Sequence, residues 1–299
     1  MAKKRKLDID GLLPSWVLTL KAERKSPGTI KTYTAGVRRF LSWCEQTGTE
    51  PVLDKSTVTA YIAASLETCE ATTAGGRLLA LKRFSAWAAE EDEQPEDRIA
   101  GMRQPKLDSK TIQPLDDDQL RALLDTCKTK SFGDRRDEAI IRFMIETAAR
   151  ANEVVSLEVA DIDLSKGSAV IRRGKGGRGR TVPFSPQTAL IMDKYRRARL
   201  QHRLADSSAW WLGVRGREFG YSALYLTLTN RAKAAGIPKF HPHLLRHTGA
   251  HRWLAAGGSD SGLMSVAGWQ QPQMLQRYTR ARASERAAAE ARTLGLGDL

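Results

Sequence analysis

The chain has 299 residues, 41% hydrophobic and 27% charged, a length that favours two domains with room for buried cores. Its 48 Lys+Arg against 34 Asp+Glu leave a net charge of +14 and point to a polyanionic partner, nucleic acid first, because each phosphate neutralised releases condensed counterions. No apolar run nears the ~18 residues of a membrane helix, the basic N-terminus lacks an apolar signal core, and Cys44, Cys69 and Cys127 lack Cys-x-x-Cys spacing; a cytoplasmic protein without a disulfide framework or zinc site is expected.

After Lys3-Lys4-Arg5-Lys6, apolar residues recur at helical spacing from Leu12 to about Ala89: Trp16-Val17-Leu18-Leu20, then Tyr33-Val37-Phe40-Leu41-Trp43, then Val58-Tyr61-Ile62, then Leu78-Leu81-Phe84-Trp87. The helix-start signals Ser26-Pro27-Gly28-Thr29 and Asp54-Lys55-Ser56-Thr57 fall between these segments. They predict a four-helix module over residues 1–101. The acidic run from Glu90 to Asp97 reads as an exposed polar loop. Residues 102–113, polar, basic and broken by Pro105, read as a linker.

A second domain is expected over 114–299, opening on Leu115-Asp116-Asp117-Asp118-Gln119-Leu120, a helix start with acids in its first turn. It carries most of the charge excess: 30 basic against 19 acidic residues, compared with 18 against 15 in 1–113. The pattern is mostly helical, with one β-rich interruption, Ser168–Arg172 and Arg180–Phe184, predicting a small antiparallel sheet. Between these strands lies Gly174-Lys175-Gly176-Gly177-Arg178-Gly179, whose four glycines demand a tight turn. An Ala/Arg/Glu-rich helix from Ala281 to about Arg292 closes the chain.

Five residues from four stretches, Arg150, Lys175, His243, Arg246 and Tyr278, are the candidates for chemistry. Cleaving a phosphodiester without metal requires fixed cations for the non-bridging oxygens, a nucleophile, and a proton donor for the leaving oxygen. Arg150 and Glu153 lie three apart on one expected helix face, so Glu153 can hold the arginine fork; alone, such a pair is usually a surface salt bridge. His243 and Arg246 share a helix face behind Pro242, offering a phosphate a planar cation and a titratable group. A metal site on His243, His247 and His251 is the rival there, but no glutamate follows His243 and no carboxylate is near, so His247 and His251 read as packing or capping residues. Lys175 sits at the hairpin tip among Arg172, Arg173, Arg178 and Arg180. It can swing toward a leaving oxygen, or the whole hairpin can grip a DNA backbone; Gly176 after Lys175 excludes a Walker loop. Tyr278, taken alone, would read as packing.

The ordered set Arg150, Lys175, His243-Leu-Leu-Arg246-His247, Trp269 and Tyr278 resembles the tyrosine recombinases, or phage-type integrases, with gaps of 25, 3 and 9 between Arg150 and Lys175, His243 and Arg246, and Trp269 and Tyr278. Thr29-Ile30-Lys31-Thr32-Tyr33 and Leu79-Ala80-Leu81-Lys82-Arg83-Phe84 are similar to that family's core-DNA-binding domain, so the likeness covers nearly the whole chain. Individual boxes are weak signals; five in order are specific.

The resemblance implies a mainly α fold and a site-specific recombinase of a phage or mobile element, needing no cofactor. Tyr278 would attack the scissile phosphate, giving a 3′-phosphotyrosyl enzyme and a free 5′-hydroxyl. Arg150 and Arg246 would hold the non-bridging oxygens, Lys175 would protonate the leaving oxygen, and His243 would assist proton movement. Double-stranded DNA and a homotetramer built around a four-way junction are the implied partners. Trp269 stands where many members carry histidine; its indole N–H donates but shuttles no proton. The family's larger members carry an arm-binding domain, for which no segment is expected here, leaving room for a separate directionality factor. A Xer-like chromosome-dimer resolvase is the alternative within the class; a type IB topoisomerase or an inactive DNA-binding protein lies outside it.

Overall fold

The computed structural model describes residues 7–106, 113–172, 179–216, 219–271, 274–275 and 292. The chain divides into two compact units, Met1–Lys110 and Thr111–Leu299. Among the described residues no helix is long and apolar enough to cross a membrane.

Among the described residues the first unit holds four helices, α1 (Ile9–Ala22), α2 (Pro27–Thr47), α3 (Lys55–Thr68) and α4 (Ala71–Glu90). Local chemistry starts three of them: the side chains of Asp8, Ser26 and Asp54 accept from the backbone N–H of Gly11, Thr29 and Thr57 at 3.0, 3.1 and 2.8 Å. Trp16, buried on α1, meets Phe84 of α4 edge-on, ring centroids 5.2 Å apart, and Val37, Phe40, Leu78 and Leu81 fill the space around them. Helices α2 and α4 approach closely at Gly36, where a Cβ would lie 2.6 Å from the Cβ of Ala80. The acidic run after α4 is mostly exposed, but Asp97 folds back to accept from the Ser85 hydroxyl at 2.7 Å.

The second unit is helical around one small sheet. Helices α5 (Asp117–Asp125), α6 (Phe132–Thr147) and α7 (Ala151–Val155) precede strands β1 (Ile162–Asp163), β2 (Ser168–Ile171) and β3 (Arg180–Pro183). Helices α8 (Pro186–Arg199), α9 (Tyr221–Ala234), α10 (Pro242–Ala255) and α11 (Asp260–Ala267) follow. The strands pair antiparallel in the order β1-β2-β3, with Ala169 opposite both Ile162 and Val182. Strand β1, two residues long, carries no alternation and was not legible as a strand. Helix α5 opens on a reciprocal cap in which Asp116 takes the Gln119 N–H at 2.8 Å and the Gln119 side chain takes that of Asp116 at 3.1 Å.

Helix α6 is the central element, packed by α8 and α10. Its Ile140, Ile141, Phe143 and Met144 are fully buried against a core that includes Met192, Tyr195, Leu224 and Leu245. At its N-terminal end, Arg231 of α9 reaches Asp134 and Asp137 of α6, both at 2.6 Å. Helix α6 is thus held along its length, and its C-terminal end is where the candidate residues gather.

Candidate active site

Helix α6 stops at Thr147 because Ala148 turns left-handed, with φ at 47°. Arg150 then lies in extended backbone, φ −74° and ψ 147°, immediately before α7 rather than within a helix as the spacing suggested. The pair with Glu153 forms all the same, as half of a capping box. Glu153 accepts from the Arg150 backbone N–H at 2.9 Å and from its Nη1 at 2.9 Å. The Glu153 side chain is 4% exposed and that of Arg150 26%, so the carboxylate is interior while the guanidinium keeps an open side.

Arg180, expected beside Arg172 on a DNA-gripping surface, is turned inward instead. Strand alternation is the cause: Val182 is fully buried and Thr181 exposed, and Arg180 shares the inner face with Val182. Its Nη1 and Nη2 donate to the two Glu153 oxygens at 3.1 and 2.7 Å, and its Nε donates to the Val266 carbonyl near the end of α11 at 2.7 Å. Burial alone would raise the Glu153 carboxyl; the hydrogen bonds from Arg180 and from the Arg150 backbone, with the Arg180 charge, outweigh it and hold the group below its ordinary range.

Helix α10 begins with Pro242 at its first position, as the sequence predicted, and carries His243 and Arg246 on its first two turns. Arg246 is 1% exposed. Its Nη2 donates to the Ala267 carbonyl at 2.8 Å, its Nη1 to the Ala148 carbonyl at the α6 corner, and its guanidinium lies 5.3 Å from the centre of the Trp269 ring. The buried indole of Trp269 thus backs this arginine. His243 has an open face, yet desolvation of its ring against the protein, followed by the positive charges of Arg246, His241 and Arg150, pushes its pKa down from 6.5 to about 4. His247 packs edge-on to it, ring centroids 4.8 Å apart.

The fold therefore brings together Arg150, Glu153, Arg180, His243, Arg246 and Trp269 from α7, β3, α10 and the segment after α11. Arg172 stays at the surface, 56% exposed, paired with Asp161 and, at 3.9 Å, with Glu158. Lys175, Arg173, Arg178 and Tyr278, with the C-terminal helix apart from Arg292, lie outside the described residues. Among the described residues no three His, Cys, Asp or Glu side chains gather as a metal cage requires. Two residues escaped the sequence reading. Arg180 faces Glu153 and the end of α11, an orientation for which its period-two partner Val182 was a usable signal. Glu146, which accepts from the Ser185 N–H and hydroxyl at 2.7 Å each and from the Thr188 hydroxyl at 2.9 Å, ties α6 to the start of α8 and gave no signal. Chemically, two guanidinium groups beside a neutral imidazole can neutralise a phosphodiester monoanion and the dianionic pentacoordinate state formed on attack, and move a proton next to it.

The family model described as "Phage integrase family" matches residues 113–285, and "Phage integrase, N-terminal SAM-like domain" matches residues 13–92. The chain is 28% identical to tyrosine recombinase XerA of Saccharolobus solfataricus over 265 residues, spanning 84% of this chain and 82% of that protein. It is 27% identical to tyrosine recombinase XerC of Chromobacterium violaceum, over 91% of this chain and 90% of that one. Among solved structures, a lambda integrase tetramer bound to a Holliday junction is similar in fold, with a TM-score of 0.71 at 13% identity, covering 92% of this chain and 78% of that one.

Proposed function

Since the chain belongs to the phage integrase family and is a tyrosine-type site-specific recombinase, we propose that it serves a phage or other mobile element, joining that element's DNA to a target duplex. One observation carries the assignment of its site: Arg150 comes from one stretch and His243 with Arg246 from another, yet Arg246 bonds the Ala148 carbonyl two residues before Arg150 and the charges of both arginines act on the same imidazole.

In this reading the scissile phosphate sits between Arg150 and Arg246, whose guanidinium groups neutralise its non-bridging oxygens as charge builds in the transition state. The Tyr278 oxygen attacks phosphorus and the bond to the 5′-oxygen breaks. Lys175 gives the leaving oxygen its proton, and neutral His243 is ready to take the phenolic one. The phosphodiester energy is kept in the phosphotyrosyl bond, so the 5′-hydroxyl of a second duplex can reverse the step and exchange strands. Trp269 packs behind Arg246 and limits its motion. Residues 1–101 form the core-DNA-binding domain, 102–113 the linker and 114–299 the catalytic domain, closing on DNA as a tetramer. The lambda integrase tetramer on a Holliday junction, similar in fold, and the basic excess of residues 114–299 support that assembly.

A Xer-like resolvase role is the second reading, favoured by the names of the curated relatives. The chemistry is tested with a nicked suicide duplex: the wild-type chain should become covalently attached and Tyr278→Phe should bind without attaching. An adduct persisting in that variant would move the nucleophile elsewhere. Sequencing the host junctions of the encoding element separates the two roles, since junctions at a chromosomal dimer-resolution site would replace the first by the second.

A further inference from the structure

Glu153 is one carboxylate shared by two arginines. Paired with Arg150 alone it would leave a neutral ion pair, and the field that Arg150 offers a phosphate would be largely cancelled. Arg180 supplies the second positive charge, so the trio keeps a net charge of +1 with the open side on Arg150, 26% exposed against 11% for Arg180. Every nitrogen of the Arg180 guanidinium is engaged within the protein: Nη1 and Nη2 on Glu153, and Nε on the Val266 carbonyl.

The same side chain reaches the C-terminal end of α11, where helix carbonyls carry partial negative charge and welcome a cation. Arg180 takes the carbonyl of Val266 and Arg246 that of the next residue, Ala267. The chain then turns through Gly268, left-handed at φ 65°, where a Cβ would lie 3.0 Å from the Arg180 Cζ. The turn leading to Trp269 is thus fitted around this guanidinium. The three tetrahedral donors of a lysine ammonium radiate from one nitrogen and cannot lie flat along both carboxylate oxygens; the planar fork of arginine does so while its Nε serves the carbonyl.

We propose that Arg180 is a positioning residue for strand cleavage: it neutralises Glu153 so that Arg150 keeps its charge for the phosphate, and it fixes the α11 end that carries Trp269. This deepens the recombinase reading and rests on it.

The test uses the full chain with Arg180→Met, Arg180→Lys, Glu153→Gln and the double variant Glu153→Gln/Arg180→Met. Covalent attachment to a nicked suicide duplex at saturating protein is measured beside Kd on uncut duplex as a function of salt. Arg180→Met should slow attachment roughly 100-fold, the scale of a misplaced transition-state group, with the salt slope unchanged. The double variant should regain about tenfold, because removing the stranded carboxylate frees Arg150. Arg180→Lys should fall between wild type and Arg180→Met, and if Arg180→Met does not fold, Arg180→Gln and Glu153→Gln/Arg180→Gln carry the same comparison. A salt slope reduced by about 0.9 with attachment unchanged would make Arg180 a DNA contact and overturn the proposal. So would a double variant no faster than Arg180→Met, or Glu153→Gln/Arg180→Gln no faster than Arg180→Gln where that pair stands in, which would mean scaffolding alone. Failure of the wild-type chain to attach at all would overturn the recombinase reading, and this proposal with it.

Discussion

Gly249 of α10 lies so close to Ile145 of α6 that a Cβ on it would sit 2.1 Å from the Ile145 carbonyl oxygen. The contact is backbone against backbone between the helix that carries His243 and Arg246 and the helix whose end presents Arg150. A glycine here sets how near the two halves of the site approach.

Gly249→Ala should therefore push α10 away from α6 and separate the two arginines. Overpacking of this kind costs about 1–3 kcal/mol, and a shift of the helix should also slow attachment to a suicide duplex. Urea denaturation and attachment rate measured on one preparation check it. A variant with the wild-type midpoint and rate would show that the helices are free to adjust.

His243 makes the site pH-dependent in a defined direction. With its pKa lowered to about 4 in the folded chain and near 6.5 when unfolded, the unfolded chain binds the proton first. The neutral ring's contribution to stability is thus complete above about pH 6.5 and is lost as pH falls toward 4. A phosphate seated between Arg150 and Arg246 adds negative charge and should raise that pKa, so DNA binding takes up a proton and tightens as pH is lowered. Proton NMR titration of His243, with and without an uncut duplex, reads this directly. An identical midpoint in both states would place the phosphate away from the imidazole.

Arg172, just past the end of β2, is 56% exposed while paired with the buried Asp161 and the half-exposed Glu158, and so has the opposite character to Arg180. Replacing it with alanine should weaken duplex binding across sequences and lower the log–log salt slope by about 0.9, the mark of one lost phosphate contact. Fluorescence anisotropy over a salt series measures it. A slope equal to that of the wild type would show that the guanidinium stays on Asp161 and Glu158 in the complex.

The helices were written in local chemistry. Ser26 with Pro27, Asp54, Asp116 with Gln119, and Pro242 each act within four residues, so their starts were legible from the chain. The order of Arg150, Lys175, His243, Arg246, Trp269 and Tyr278 was equally plain, because motif spacing is a property of the chain itself. What the order does not hold is which side chain faces which. That Arg180 turns from the surface to Glu153 depends on β3 burying Val182 against the core, and that Arg246 joins the α6 corner to the end of α11 depends on helices packing from stretches 98 and 21 residues away. Such contacts are set by the burial of apolar faces over long separations, a choice made by the whole unit and by no local segment of it.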